Sequence, residues 1–257
     1  MHLDSVPLWA IFMGTMAVVM LAIGAGFLVG RRNRSPGEGK GDSAGVLVAS
    51  AMGLLAFMLG FTFNSAAVRY DARKNLVVQE VNAIGTTWLR AGLLPEPYRS
   101  DIRGLLKEYV DLRSDAVPAQ WKELEQAMRR SDALQDQLWA RAAEIGRSET
   151  GSIAVGLFVQ SLNEMIDLHL ERVKVGVRDR IPAAIWVALY VLAMLAMGMA
   201  GVQLGMSGKN FALIELALAL SFSVVLCLTA DLDRPQEGLI KVSQQAMVDL
   251  QQKMRAP

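Results

Sequence analysis

The sequence predicts an all-α membrane protein with four transmembrane helices and a helical cytoplasmic insertion between spans two and three. Three observations lead to this fold class. Of the 257 residues 53% are hydrophobic and only 20% are charged, and the apolar residues are concentrated in four long blocks. Between the second and third blocks the apolar residues recur at helical spacing. Nowhere does the strict alternation of a half-buried β-strand stand out.

The four apolar blocks are each long enough to cross a bilayer, which takes about 20 apolar residues. The first three contain no Asp, Glu, Lys or Arg, and the fourth contains only Glu215. Because Asp4 but no Lys or Arg precedes the first block, and because its apolar run is too long, we expect a retained span and not a cleaved signal peptide. The predicted spans cover residues 5–30, 43–68, 181–208 and 210–230.

The insertion, residues 69–180, holds equal numbers of basic and acidic residues and successive apolar stripes typical of helices. Its last stripe alternates steps of four and three, which is the heptad pattern of a helix that needs a partner helix. A tail, residues 231–257, follows the fourth span and is expected to contain a short helix. The heptad stripe consists of Val155, Val159, Leu162, Ile166, Leu170, Val173 and Val177.

A column of side chains marks the end of the second span. Gly53, Phe57 and Phe61 are four residues apart, and Asn64 lies close to the same helix face. Such a column is compatible with helix packing or lipid contact, and equally with a hydrophobic constriction that gates a pore by dewetting. In the second case Asn64 and Ser65 offer a polar rim.

Two arginines follow the same face. Arg69 and Arg73 are expected either to anchor the helix at the membrane interface or, in a ring of several copies, to concentrate anions at a pore mouth. Asp71 between them weakens the positive field.

The sequence does not predict an enzyme. Cys227 is the single cysteine and His169 the only internal histidine, so neither a zinc site nor a hydrolytic triad is expected. Glu164, Asp167 and Glu171 share one side of a helix, where a solvated or salt-bridged face is favoured over a metal site. No cofactor is expected, and the net charge of +1 from well-mixed residues gives no sign of nucleic-acid binding.

The basic residues near the ends of the spans favour one orientation. Their count places both termini and the insertion in the cytoplasm. The cluster from Arg31 to Arg34 opposes this assignment, because it directly follows the first span. The residues expected on the cytoplasmic side are Arg69, Arg73, Lys74, Arg172, Lys174, Arg178, Arg180, Arg234 and Lys241.

Several segments resemble those of a known family. LGFTFNSAAVRYDARKNL (59–76) is similar to the end of the second span in bestrophins, and QSLNEM (160–165) to a segment before their third span. Ile181-Pro182 stands close to an Ile-Pro of that family. The bacterial bestrophin-like proteins resemble this chain further in residues 82–103 and 233–245.

This resemblance implies a pentameric ion channel with one axial pore in a bacterial inner membrane. The hydrophobic neck of the pore corresponds to Phe61, Phe57 and Gly53, and the aperture near the cytoplasmic exit to Ile181. We expect passive conduction of inorganic ions, with an anion such as chloride as the first candidate. The alternative is a non-conducting, membrane-anchored sensor or scaffold whose helical insertion binds a protein partner.

Overall fold

The computed structural model describes residues 6–33, 41–115, 121–207, 212–234 and 238–256. Within these ranges the chain forms eight α-helices and one π-helical turn, and no β-strand. The predicted all-α class is therefore confirmed. The helices are α1 (Leu8–Arg32), α2 (Gly41–Ala91), α3 (Tyr98–Asp115), α4 (Trp121–Ser148), α5 (Ile153–Val173), α6 (Ala183–Ser207), α7 (Ala212–Asp233) and α8 (Gln245–Arg255), and the π-helical turn is Lys174–Arg178.

Four of these helices, α1, α2, α6 and α7, are long and apolar enough to cross a membrane, as the sequence predicts. Helix α2 has 51 residues, more than twice the length of a span, and apart from Asp42 near its start its charged residues begin at Arg69. The predicted connection between the third and fourth spans, around Gly208 and Lys209, lies outside the described residues.

The chain divides into two compact units, and α2 contributes to both. Unit 1 contains the apolar helices, and unit 2 contains the charged part of α2 with α3, α4, α5 and α8. Unit 1 comprises Met1–Arg69, Arg180–Arg234 and Gly238–Ile240, and unit 2 comprises Tyr70–Asp179, Pro235–Glu237 and Lys241–Pro257.

In unit 1, glycines bring α1 and α6 into backbone contact. A Cβ added to Gly26 would lie 2.0 Å from the carbonyl oxygen of Gly198, and one added to Gly201 would lie 2.1 Å from that of Ile23. Small residues at such crossings let membrane helices approach closely. The Thr15 hydroxyl lies 2.7 Å from the Tyr190 hydroxyl and adds a hydrogen bond between the same helices.

In unit 2, one hydrophobic core joins α2, α3, α4, α5 and α8. Leu106, Leu138, Phe158 and Met165 are fully buried in it, and Met247 brings α8 onto the same core. This core holds the polar groups described below in fixed positions.

Helix α5 buries part of the predicted stripe, since Val155 and Leu162 are buried and Val159 and Ile166 pack against the core. Its start is capped by the Ser152 hydroxyl, which accepts a hydrogen bond from the Val155 amide. Leu170 of the predicted stripe is 58% exposed, so this part of the prediction is wrong. The buried face consists of Val155, Phe158, Ser161, Leu162, Met165 and His169. The predicted and observed faces share Val155 and Leu162, and packing against the other helices decides which further positions are buried.

Candidate functional site

The predicted phenylalanine column lies on an exposed face of α2. Phe57 is 69% exposed and Phe61 is 58% exposed. A Cβ added at Gly53 would meet no atom within 4 Å, and Asn64 is exposed as well. Packing among the described residues therefore does not account for these two aromatic rings. The face is available to lipid, to a second copy of the chain or to a pore.

The rim residues divide into two sets. Ser65 and Arg69 are half-buried next to Asn64, and the Arg69 guanidinium donates a hydrogen bond to the Ser65 carbonyl at 3.3 Å. Arg73, in contrast, is only 5% exposed and belongs to unit 2. Of the four residues predicted for a rim, Asn64, Ser65 and Arg69 are therefore at least partly accessible, and Arg73 is buried.

Ile181, expected at a cytoplasmic aperture, is also buried, at 5% exposure. Its backbone N–H donates to Asp233 Oδ1 at 3.1 Å, which holds the start of the third span against the end of α7. Ile181 is thus part of the packing of unit 1 in this conformation.

The acidic run after the fourth span organises the backbone. The Asp231 carboxylate accepts hydrogen bonds from the N–H groups of Leu239 and Ile240, at 3.0 and 3.1 Å. Gly238 has φ +141°, and a Cβ there would lie 1.8 Å from Asp231 Oδ1, so only glycine fits. Arg234 donates to the Val6 carbonyl and ties the N-terminal segment to the same region.

Unit 2 contains a buried polar network that the sequence reasoning missed. Its centre is Glu80 of α2, which is fully buried. The Glu80 carboxylate accepts hydrogen bonds from Arg172, from Arg113 at 3.2 Å and from the Tyr109 hydroxyl at 3.0 Å. Arg172 also donates to the side chain of Gln244 at 2.6 Å. Helices α2, α3 and α5 are thereby connected through one carboxylate, and Arg172 connects them to Gln244 just before α8.

His169 extends this network. It is only 1% exposed and belongs to the buried face of α5, unlike the exposed Glu164, Asp167 and Glu171. Its Nδ1 lies 3.0 Å from the Tyr109 hydroxyl, and its Nε2 lies 3.4 Å from Asp132 Oδ1 on α4. The Gln135 amide donates to the same hydroxyl at 3.3 Å.

Charge and burial set the protonation states around Glu80. Burial, together with the adjacent Glu80 carboxylate, raises the pKa of the Tyr109 phenol far above its usual range, so the hydroxyl stays protonated. Burial acts to lower the pKa of Arg113, but the Glu80 carboxylate outweighs it and raises that pKa. Burial and the neighbouring Arg113 lower the pKa of Arg172.

A weak sequence signal for this network existed, since Glu80 interrupts the apolar stripe that contains Val77 and Ile84.

A polar groove of about 700 Å³ lies between α2 and α5 in unit 2. Among the described residues that line it, three are carboxylates and none is Lys or Arg. The described ranges contain no group of three or more His, Cys, Asp or Glu residues arranged to hold a metal ion. The lining residues are Gln79, Asn82, Ala83, Thr86, Gln160, Asn163, Glu164, Asp167, Leu168 and Glu171.

Comparison with known proteins identifies the family and the fold. A family model of the Bestrophin-like domain matches residues 7–247. A crystal structure of a bacterial bestrophin homologue from Klebsiella pneumoniae, solved by zinc phasing, has a TM-score of 0.66 at 13% identity, over 95% of this chain and 96% of that chain. A tyrosine-to-alanine variant of a bestrophin homologue from the same organism has a TM-score of 0.67 at 14% identity, over 95% and 97%. None of the curated proteins matches the sequence.

Proposed function

This chain belongs to the bestrophin-like family, whose known members are ion channels, and from that premise we propose that it forms a homo-oligomeric ion channel. In the proposed assembly, a pentamer, helix α2 of each copy faces one axial pore and ions pass without energy input. The observation that carries this proposal is the exposed column of Phe57 and Phe61 on α2. Two large aromatic rings that do not pack within the chain form a hydrophobic constriction when several copies surround an axis.

The proposed neck consists of Phe57, Phe61 and Gly53. Since glycine has no side chain, the neck has two aromatic rings and a wider level at Gly53. Asn64, Ser65 and Arg69 form the proposed polar rim. Arg73 and Ile181 would join the pore lining only if assembly turned their buried side chains outward, so the proposal does not depend on them.

We place the channel in the bacterial inner membrane with both termini and the insertion in the cytoplasm, following the distribution of basic residues. The membrane-embedded segments in this proposal are residues 5–30, 43–68, 181–208 and 210–230. Residues 69–180 and 231–257 are the cytoplasmic parts.

The permeant ion is proposed to be an anion such as chloride, because the positive edges of aromatic rings interact favourably with anions. One specific observation favours a cation instead. Glu164, Asp167 and Glu171 line the groove in unit 2, and carboxylates attract cations to channel entrances. The reversal potential in a potassium chloride gradient decides between the two, since its sign differs for anion and cation selectivity.

The channel proposal is tested with purified protein in liposomes. We expect the wild type to pass ions, and the double variant Phe57→Ala/Phe61→Ala to pass them about tenfold faster, which corresponds to a barrier lower by ~1.4 kcal/mol. Leu195→Ala is the control, because Leu195 is a similarly exposed apolar residue on α6. Native mass measurement of the detergent-solubilised complex should give a ring of five copies.

Two results would contradict the proposal. The first is the absence of ion flux from both proteins at every voltage, calcium concentration and pH tried. The second is a monomeric or dimeric mass, since one helix per copy then encloses no axial path. Either result would favour the membrane-anchored sensor or scaffold, for which the exposed Leu170 on α5 is a possible contact with a protein partner.

A further inference from the structure

We propose that His169, together with Tyr109 and Asp132, forms a proton-binding site in unit 2 that is completed when the imidazole takes up a second proton. The proposal rests on the buried polar network alone and does not depend on ion conduction. It concerns a row of three polar contacts, which we call links. They join the Glu80 carboxylate to the Tyr109 hydroxyl, that hydroxyl to the His169 ring, and the ring to the Asp132 carboxylate.

When the His169 ring is neutral, the row has too few protons for all three contacts to be hydrogen bonds. The links measure 3.0 Å from Glu80 Oε1 to the Tyr109 hydroxyl, 3.0 Å from that hydroxyl to His169 Nδ1, and 3.4 Å from His169 Nε2 to Asp132 Oδ1. Three links need three protons. The phenol supplies one and a neutral imidazole supplies one.

The direction of the first link follows from Glu80. Its carboxylate accepts from Arg113 and Arg172 and is an acceptor only, so the Tyr109 hydroxyl donates to it. The phenol oxygen then accepts from His169 Nδ1, which must carry a proton. In the neutral ring Nε2 is therefore an unprotonated nitrogen that faces a carboxylate.

A second proton on the ring removes this mismatch. The Nε2–H then points toward Asp132, and the cationic ring forms an ion pair with that carboxylate while Nδ1 keeps its hydrogen bond to Tyr109. Protonation thereby links α4 to α5 through a group that already contacts α3. Acid pH is expected to strengthen this contact between the helices, and alkaline pH to release it.

The other charged groups around the ring come from every helix that packs on it. Glu80 of α2 lies 3.7 Å from Nδ1 and favours the cation, as does Asp132 of α4. Arg113 of α3 and Arg172 of α5 oppose it, but both donate hydrogen bonds to Glu80. Asp132 is 61% exposed, so the ion pair forms at the solvent edge, where a proton has access.

The test is a histidine titration of the full-length protein in detergent micelles. The chain contains only two histidines, and His2→Gln leaves a single imidazole signal after selective isotope labelling. When the pH is lowered stepwise, we expect the His169 ring to pass from a neutral form with its proton on Nδ1 to the doubly protonated form.

The decisive variant is Asp132→Asn. It removes the carboxylate, and its amide can donate to the unprotonated Nε2, so it supplies the missing proton from the other side. The proton affinity of His169 should fall about threefold, in keeping with an ion pair at an exposed position. The matched control is Asp136→Asn, which removes the same charge one turn further along α4 and should leave the titration midpoint in place. Since Asp132 is exposed, we expect the variant to fold.

Two outcomes would overturn the proposal. One is a neutral His169 with its proton on Nε2 throughout the pH range. The other is an equal titration midpoint in the Asp132→Asn and Asp136→Asn proteins.

Discussion

At the scale of single residues, the carboxylate of Glu80 decides how unit 2 is held together. It is fully buried and faces two guanidinium groups, those of Arg113 and Arg172, whose side chains are 10% and 15% exposed. A buried charge is costly unless oppositely charged groups and hydrogen bonds surround it. The two arginines and the Tyr109 hydroxyl meet that requirement.

We therefore expect Glu80→Gln to destabilise the protein strongly. The substitution keeps the shape but removes the negative charge, so two buried cations are left facing each other. The loss in the free energy of unfolding should be about 3–5 kcal/mol, as for other broken buried ion pairs. Denaturation of the purified protein in detergent measures it, with Glu164→Gln on the exposed face of α5 as a control expected to change little. Equal stability of the two variants would contradict a central role of Glu80.

At the scale of helices, the contact between α1 and α6 depends on the absence of side chains. Gly26 and Gly30 of α1 lie against backbone atoms of α6, and Gly201 and Gly205 of α6 lie against backbone atoms of α1. A backbone atom does not move aside as a flexible side chain does. Any Cβ at these positions therefore forces the two helices apart.

Two glycines of α1 provide a matched pair for testing this contact. A Cβ at Gly26 would lie 2.0 Å from the Gly198 oxygen, whereas one at Gly24 would meet nothing within 4 Å. Gly26→Ala should lower the free energy of unfolding in detergent by about 1–3 kcal/mol or more, and Gly24→Ala should leave it unchanged or slightly raised. If Gly26→Ala were as stable as Gly24→Ala, the close crossing of α1 and α6 would be wrong.

At the scale of the whole molecule, the proposed orientation in the membrane rests on a comparison of the basic residues on the two sides of the spans. More Lys and Arg residues accompany the insertion and the tail than accompany the first connection, although Arg31, Arg32 and Arg34 belong to the latter. Basic residues are retained on the cytoplasmic side of spans. Because the larger set accompanies the insertion and the tail, we propose that the insertion faces the cytoplasm.

The single native cysteine makes this orientation testable. In a Cys227→Ser background, Ser35→Cys tags the first connection and Glu149→Cys tags the exposed turn between α4 and α5. A membrane-impermeant maleimide should label Ser35→Cys in intact spheroplasts, and Glu149→Cys only after lysis. The reverse pattern would show that the insertion faces outward.

The sequence by itself determined the all-α class, the four apolar helices and the charged helical insertion. These are local properties, since hydrophobicity and helical period are read along a continuous stretch of chain. It also determined the column of Phe57 and Phe61, because positions four apart share a helix face wherever the helix lies.

The tertiary structure alone decided which of these faces are buried and which distant residues meet. Only packing shows that α5 buries Phe158 and Met165 and exposes Leu170. Tyr109 is 29 residues from Glu80 and 60 from His169, and the sequence contains no pattern that pairs them. The physical reason is that a contact between helices depends on how several faces fit together at once, and each helix alone carries only a set of possible faces.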